Sequence, residues 1–184
     1  MTDLVKTHMT AAEFLSLPET NLPTELINGE VFRMPAPQLN HQDAVLQIAV
    51  FLKRRLTTGK LYIAPVDLHF DDANVVQPDI MWIAPDNDRC ISVEGKYLHG
   101  APDLVMEVFS PGTARRDKRD KFRLYQKYGV REYWMVDPVE RFVEVWELAG
   151  GKFLLVDVYG PGETFSSPLV GEVAVTEMFP QVAE

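Results

Sequence analysis

Two carboxylates, Asp79 and Glu107, stand at positions where the surrounding sequence is apolar. Side chains of a strand alternate between its two faces, so Glu107 should share a face with Val105 and Phe109. Asp79 is placed in the same way within a predicted strand over 75–84. A carboxylate in such a position loses water, which is unfavourable unless the group is paired or binds a metal ion. Both residues are therefore candidates for chemistry.

A lysine is the third candidate. The segment from 116 to about 128 predicts a helix, and its apolar stripe includes Tyr125. Residues three or four apart lie on the same helix face, so the stripe extends back to Lys121 and then to Asp117. The helix directly follows the strand of Glu107. We therefore expect Lys121 to point toward the sheet and to reach Glu107.

Two carboxylates and an ammonium group at a strand end suit metal-assisted hydrolysis of a phosphodiester. Mg²⁺ binds one or two carboxylates together with waters and substrate oxygens. The metal lowers the pKa of a bound water, and an ammonium group stabilises the charge that develops on the phosphorus centre. The alternative is a buried structural ion pair between Glu107 and Lys121, with Asp79 capping a turn.

The elements that must position these residues follow from turn and capping signals. Thr10 and Glu13 form a capping box that predicts a helix from 11 to about 17. Asn28-Gly29 predicts a tight hairpin between 25–27 and 30–32. Asn40 should cap a second helix, which ends at Gly59.

The rest of the chain predicts mainly strands, with one further helix. The run 103–109, the helix 116–128 and the run 132–136 form a βαβ unit with parallel strands. Residues 85–101 are polar and predict a loop. The other predicted strands are 61–70, 75–84, the hairpin 141–148 with 152–159, and a short strand near 173. The expected fold class is α+β, with an α/β-type mixed sheet flanked by a few helices and with hairpins near both ends.

Length and composition bound the class of protein. The 184 residues fit one domain over 1–184, and no apolar run reaches the ~18 residues of a membrane helix. The first residues lack a signal-peptide pattern, and Cys90 is the single cysteine, which excludes an internal disulfide. We therefore expect a cytoplasmic protein with no membrane partner.

Charge is distributed unevenly along the chain. The net charge is −9, yet eight of the 18 basic residues lie between 115 and 131, with only two acidic residues among them. Arg115, Arg116 and Arg119 are therefore candidates for contacting nucleic acid, because phosphate neutralisation dominates such binding. A solvated basic helix face is the alternative interpretation.

Several longer motifs resemble those of a known family. They are TELINGE at 24–30, a histidine at a helix start (His41), Pro78-Asp79-Ile80, PDLVMEVFSP at 102–111, Asp117-x3-Lys121-x3-Tyr125 and GVREYWMVDP at 129–138. Together they resemble the Uma2 family of restriction-endonuclease-like proteins over about residues 10–180. The last two of these motifs are long and specific, whereas Pro-Asp alone is weak.

The resemblance implies a PD-(D/E)XK nuclease core, a Mg²⁺ or Mn²⁺ cofactor and a homodimer. Asp79 and Glu107 would be the two metal-binding acids, and Glu25 would match an early glutamate of the family. In the wider superfamily the lysine lies two residues after the second acid, where this chain has Phe109. Lys121 is the natural replacement.

Two functions remain open at this point. In the first, the protein is a metal-dependent endonuclease acting on DNA, with Asp79, Glu107, Lys121 and Glu25 as its catalytic set. His41, Asp117 and Tyr125 are candidates for supporting the metal ligands or binding substrate, although a capping or surface role suits His41 equally. In the second, the chain is a catalytically inactive module that binds nucleic acid or protein and keeps the nuclease fold.

Overall fold

The computed structural model describes residues 8–18, 22–109 and 114–179, and the side chains of 114–118 are outside this description. The helices are α1 (Ala11–Leu15), α2 (Leu39–Arg55) and α3 (Ala114–Tyr128), followed by a 3₁₀ turn at Val175–Met178. The strands are β1 (Thr24–Ile27), β2 (Glu30–Arg33), β3 (Lys60–Ile63), β4 (Leu68–Asp71), β5 (Asn74–Val76), β6 (Ile80–Ile83), β7 (Cys90–Val93), β8 (Tyr97–Gly100), β9 (Leu104–Val108), β10 (Glu132–Asp137), β11 (Phe142–Ala149), β12 (Lys152–Tyr159), β13 (Thr164–Ser167) and β14 (Gly171–Ala174).

The strands form two six-stranded sheets and one hairpin. The first sheet has the order β2-β1-β5-β4-β8-β7, the second β12-β11-β10-β9-β6-β3, and β13 pairs with β14. In the second sheet β9 and β10 are parallel and joined by α3, which confirms the predicted βαβ unit. The α+β class is confirmed, whereas the expectation of one mixed sheet is corrected to two.

The prediction of two long strands over 61–70 and 75–84 is wrong. Each is broken in the middle, so that β3 and β6 join the second sheet while β4 and β5 join the first. Pro65 follows a cis peptide bond in the first break, and Pro78 lies in the second. A proline supplies no backbone N–H to a ladder, so each proline favours a strand end at that point. The chain thus crosses twice from one sheet to the other.

Residues 85–101, predicted as a loop, contain the hairpin of β7 and β8. The turn between them has Glu94 and Gly95 at φ +52° and +71°, a conformation typical of a tight hairpin. The strands are short and half exposed, and they carry no strong alternation of apolar residues. That pattern explains why the sequence predicted a loop.

The other predicted boundaries are closer to the structure. The capping box of α1 and the hairpin at Asn28-Gly29 are confirmed, although α1 ends at Leu15 instead of about 17. The second helix starts earlier than predicted, with Gln38 as its N-cap, and it ends at Arg55, before Gly59. The hairpin of β11 and β12 is confirmed, and the short strand near 173 is one half of a hairpin.

The second sheet separates two apolar cores. One face, with Met106 and Trp134, packs against α2 and the β13–β14 hairpin. The other face, with Val105 and Tyr133, packs against α3 and the first sheet. Within the described ranges, no helix is both long and apolar enough to cross a membrane.

Candidate active site

Four predicted residues meet where the first sheet, the second sheet and α3 come together. Glu25 lies on β1, Asp79 follows β5 and immediately precedes β6, Glu107 lies on β9, and Lys121 lies on α3. Asp79 is therefore not on a strand face with Met81 and Ile83, as the sequence suggested, but at the crossing between the two sheets. The crossing brings it beside β9.

Lys121 is the centre of the cluster. Its Nζ lies 2.7 Å from Oε1 of Glu25 and 3.1 Å from Oε1 of Glu107, and the residue is only 4% exposed. Burial alone would lower the pKa of Lys121, but the charges of Glu107 and Glu25 outweigh it and raise the pKa. The lysine is therefore a permanent cation that points toward the sheet, as the helical stripe predicted.

Glu107 accepts two bonds on a single oxygen. The hydroxyl of Tyr125 donates to Oε1 at 2.6 Å, beside the contact from Lys121. Burial raises the pKa of Glu107 to about 7; Lys121 opposes this effect, and the charges of Asp79 and Glu25 add to it. Asp79 and Glu107 are thus close enough to repel each other.

Asp79 is held by the backbone of β9 and by a buried histidine. Its Oδ2 accepts from the backbone N–H of Val108 at 2.8 Å and lies 3.2 Å from Nε2 of His41. Burial lowers the pKa of His41, but the bond to Asp79 and the charges of Asp79 and Glu107 raise it overall. These contacts replace the turn-capping role that the alternative interpretation gave to Asp79.

Glu25 is the most deeply buried acid of the cluster, at 1% exposure. Besides Lys121, its Oε1 accepts from the backbone N–H of Gln77 at 2.8 Å. Its Oε2 is buried and has no hydrogen-bond partner among the described residues. A buried oxygen without a protein partner is costly, and ordered water or a bound ion commonly supplies the missing contact.

The donor set fits one hard divalent cation. The bonds to Asp79 fall on Oδ2 and those to Glu107 fall on Oε1, so the described residues leave Oδ1 and Oε2 without a protein donor. The two side chains keep 16% and 13% exposure, which leaves them reachable. The described ranges contain no group of three or more His, Cys, Asp or Glu side chains placed to hold a metal by themselves. Two carboxylates completed by water and substrate oxygens match Mg²⁺ better than a closed zinc site.

The four remaining predicted residues belong to α3. Arg119 is exposed on α3, whereas the side chains of Arg115, Arg116 and Asp117 lie outside the described residues. The contacts that sequence reasoning missed come from the backbone, namely the N–H groups of Gln77 and Val108. Every residue except proline has such a group, so no side-chain pattern could have identified them.

Asp103 is a buried acid outside the cluster that sequence reasoning also missed, and its contacts serve to hold the fold together. Its oxygens accept from the backbone N–H of Ala84 at 2.7 Å and from Asn87 Nδ2 at 2.6 Å, and Arg131 lies 3.3 Å away. These donors tie the ends of β6, β9 and β10 together. The sequence placed Asp103 at a strand start, where an acid needs no special explanation.

Comparisons with known proteins show the family and the fold. The model of the Uma2 family, described as "Putative restriction endonuclease", matches residues 11–176. The chain is 25% identical over 158 residues to "Uncharacterized protein sll1609" of Synechocystis sp. (strain ATCC 27184 / PCC 6803 / Kazusa), covering 83% of this chain and 88% of that protein. It is also similar to the crystal structure of "a putative nuclease belonging to DUF820" from Anabaena variabilis ATCC 29413, with a TM-score of 0.75 and 22% identity. That match covers 92% of this chain and 97% of the other, and it shows the fold. The chain therefore belongs to the Uma2 family of putative restriction endonucleases.

Proposed function

We propose that the protein is a Mg²⁺- or Mn²⁺-dependent endonuclease that hydrolyses phosphodiester bonds in DNA. The observation that carries this proposal is the cluster of Glu25, Asp79 and Glu107 around Lys121. Asp79 and Glu107 each keep one oxygen that accepts from no described donor. Three carboxylates and one ammonium group leave an excess of negative charge. A divalent cation would balance that excess. Unlike a second basic side chain, it would also offer coordination positions for water and for substrate oxygens.

Asp79 and Glu107 would hold the cation through Oδ1 and Oε2, the oxygens that no described donor occupies. When bound, the cation would supply a water of lowered pKa and would polarise the phosphoryl group. His41 and the Val108 N–H fix the carboxylate plane of Asp79, and Tyr125 fixes that of Glu107. Carboxylates held in this way do not have to reorganise when substrate arrives.

Lys121 would stabilise negative charge on the phosphoryl oxygens. Its pKa is raised by Glu107 and Glu25 despite burial, so it stays protonated throughout the neutral range. Glu25 is the fixed inner partner, since it is almost fully buried and also bonded to the Gln77 backbone. Glu25 would thus position Lys121 without touching the substrate itself.

DNA would approach along the basic surface of α3. Arg119 is exposed on this helix, and Arg115 and Arg116 precede it in the sequence. A local basic surface on an acidic chain suits an enzyme that contacts nucleic acid without binding it tightly. The homodimer that the family resemblance implies is part of the same proposal.

One feature favours a second candidate, an inactive binding module. Lys121 already contacts two carboxylates, so the cluster is also a buried ion pair between protein groups. Such a pair needs no metal and no substrate. In this case the protein would bind DNA or a protein partner and cut nothing.

A cleavage assay separates the two candidates. Purified protein is incubated with supercoiled plasmid and with single-stranded DNA, in Mg²⁺ or Mn²⁺ and in EDTA, and binding is followed in parallel by gel shift. The endonuclease predicts nicked or cut DNA with metal and intact DNA in EDTA. Gel shifts without cleavage in any metal would favour the binding module.

A further inference from the structure

Strand β12 forms a long apolar edge of the second sheet. It spans eight residues, whereas the other edge strands, β2, β3 and β7, have four each. An edge strand presents unpaired backbone N–H and C=O groups, and proteins usually keep such edges short or charged. In β12 four apolar side chains are exposed by 42–56%, namely Leu154, Leu155, Val156 and Val158. No other strand of the described residues pairs with this edge.

We propose that β12 is the surface through which two copies of this chain associate. The strands would pair antiparallel across a two-fold axis and join the two second sheets into one sheet of twelve strands. The backbone groups of both edges would then be hydrogen bonded, and the exposed leucine and valine side chains would be buried against each other. Two copies of one strand can satisfy each other in this way because an axis of this kind makes the contact self-complementary.

The charges of β12 fix a register for this pairing. Its only charged residues are Lys152 and Asp157, which lie opposite Ala149 and Val145 of β11. Those two β11 residues share a face, so Lys152 and Asp157 also project from one face of the sheet. They are five positions apart in the sequence, and only the extra residue at the bulge, Val156, brings them to the same side.

Antiparallel pairing can therefore place Lys152 of each copy opposite Asp157 of the other. In this register the two-fold axis passes through Leu154, the most exposed apolar residue of the strand, which meets its own copy. Phe153 would then lie across from Leu155 and Val156 of the second copy. Opposite charges and paired apolar side chains at facing positions both stabilise a strand pair.

The arrangement has a consequence that rests on the proposed function. Glu107 lies on β9, three strands inward from β12, so seven strand-to-strand intervals separate the two copies of β9. At ~4.8 Å for each interval the two sites are about 34 Å apart across the sheet. An axis perpendicular to the sheet keeps them on the same face. This separation is about one turn of B-form DNA.

Sedimentation velocity without DNA or metal tests the interface alone. We expect the wild type to sediment as a dimer at micromolar concentration. Leu154→Lys would place two like charges against each other at the axis and raise the dissociation constant by about tenfold or more. The control is Leu46→Lys, because Leu46 is exposed by 60% on α2 and should leave the dimer unchanged.

Charge reversal provides a second comparison that does not depend on the apolar contact. Lys152→Asp or Asp157→Lys alone should weaken the dimer, and the double variant should restore it. A monomeric wild type, a dimer that survives Leu154→Lys, or a double variant no stronger than the singles would overturn the proposal. Because no DNA is present, an inactive nuclease would leave these outcomes unaffected.

Discussion

At the scale of single residues, the cluster depends on how four charges share a small buried volume. Lys121 contacts both Glu25 and Glu107, while Asp79 contacts neither the lysine nor a second acid directly. Asp79 nevertheless raises the pKa of Glu107 through its charge. Three acids therefore share one lysine in the metal-free protein, and the result is the raised pKa of Glu107.

The substitution Glu107→Gln should relieve that repulsion. A carboxyl whose pKa is raised from 4.5 to about 7 by folding stabilises the folded state when protonated. This contribution is complete below the ordinary pKa and is lost as the pH rises through about 7, a change of about 3 kcal/mol. In EDTA we expect wild-type stability to fall between about pH 5 and pH 8, and Glu107→Gln to flatten that fall.

Urea unfolding at several pH values measures this effect, with Glu140→Gln, an exposed acid, as the control. Added Mn²⁺ should raise the stability of the wild type and not that of Glu107→Gln, since a ligand of the folded state stabilises by mass action. If Glu107→Gln is clearly destabilised in EDTA and neither protein responds to Mn²⁺, the cluster is a structural ion pair.

At the scale of elements, the structure differs from the sequence expectation mainly where the chain changes sheets. The capping box, the Asn-Gly hairpin and the βαβ unit were predictable because local residues determine them. The division of 61–70 and 75–84 between two sheets was not, since alternation within a strand carries no information about its partner. The position of Asp79 at such a crossing was missed for the same reason.

Cys90 tests the hairpin that replaced the predicted loop. It is buried on β7, and burial raises the pKa of its thiol to about 12. Because the thiolate is the reactive form, we expect iodoacetamide to modify native Cys90 at least about 100-fold more slowly than the urea-unfolded chain. Rapid modification under native conditions would be the behaviour of the loop predicted from sequence.

Gly100 offers an independent test of the same hairpin. It has φ +106°, and a Cβ atom there would lie 1.8 Å from the carbonyl oxygen of Arg89. Gly100→Ala should therefore destabilise the protein by about 3 kcal/mol or more. Gly95→Ala is the matched control, because Gly95 also has positive φ but a Cβ there meets no atom within 4 Å. Equal losses in urea unfolding would contradict the close approach of β7 and β8.

At the scale of the whole molecule, the net negative charge agrees with membership of a family of putative restriction endonucleases only when the positions of the basic residues are considered. The chain carries −9 overall, yet its basic residues concentrate around α3, the helix that also supplies Lys121. Sequence motifs were sufficient to identify the family and to name Asp79, Glu107, Lys121 and Glu25. The backbone partners of these residues were beyond sequence reasoning, because the N–H groups of Gln77 and Val108 carry no side-chain signal, whereas His41 was already a candidate.

The basic residues of α3 should control the salt dependence of DNA binding. Changing Arg115, Arg116 and Arg119 to glutamate should weaken binding at low salt and flatten the plot of log affinity against log salt, because fewer phosphate contacts release counterions. Fluorescence anisotropy measures both quantities. In the control variant Lys53, Arg54 and Lys60, which are exposed basic residues outside α3, are changed to glutamate instead. The same slope in the α3 variant and the wild type would show that this face only contacts solvent.

The central claim is that Asp79 holds a cation that DNA cleavage requires, and the nicking rate of supercoiled plasmid in Mn²⁺ tests it most directly. Asp79 is compared with Asp86, an exposed aspartate of the same chain. We predict that wild type and Asp86→Ala nick the plasmid at equal rates, while Asp79→Ala is slower by about 100-fold or more, the scale expected when a group acting on transition-state charge is removed. Cleavage by Asp79→Ala at the wild-type rate would contradict the account.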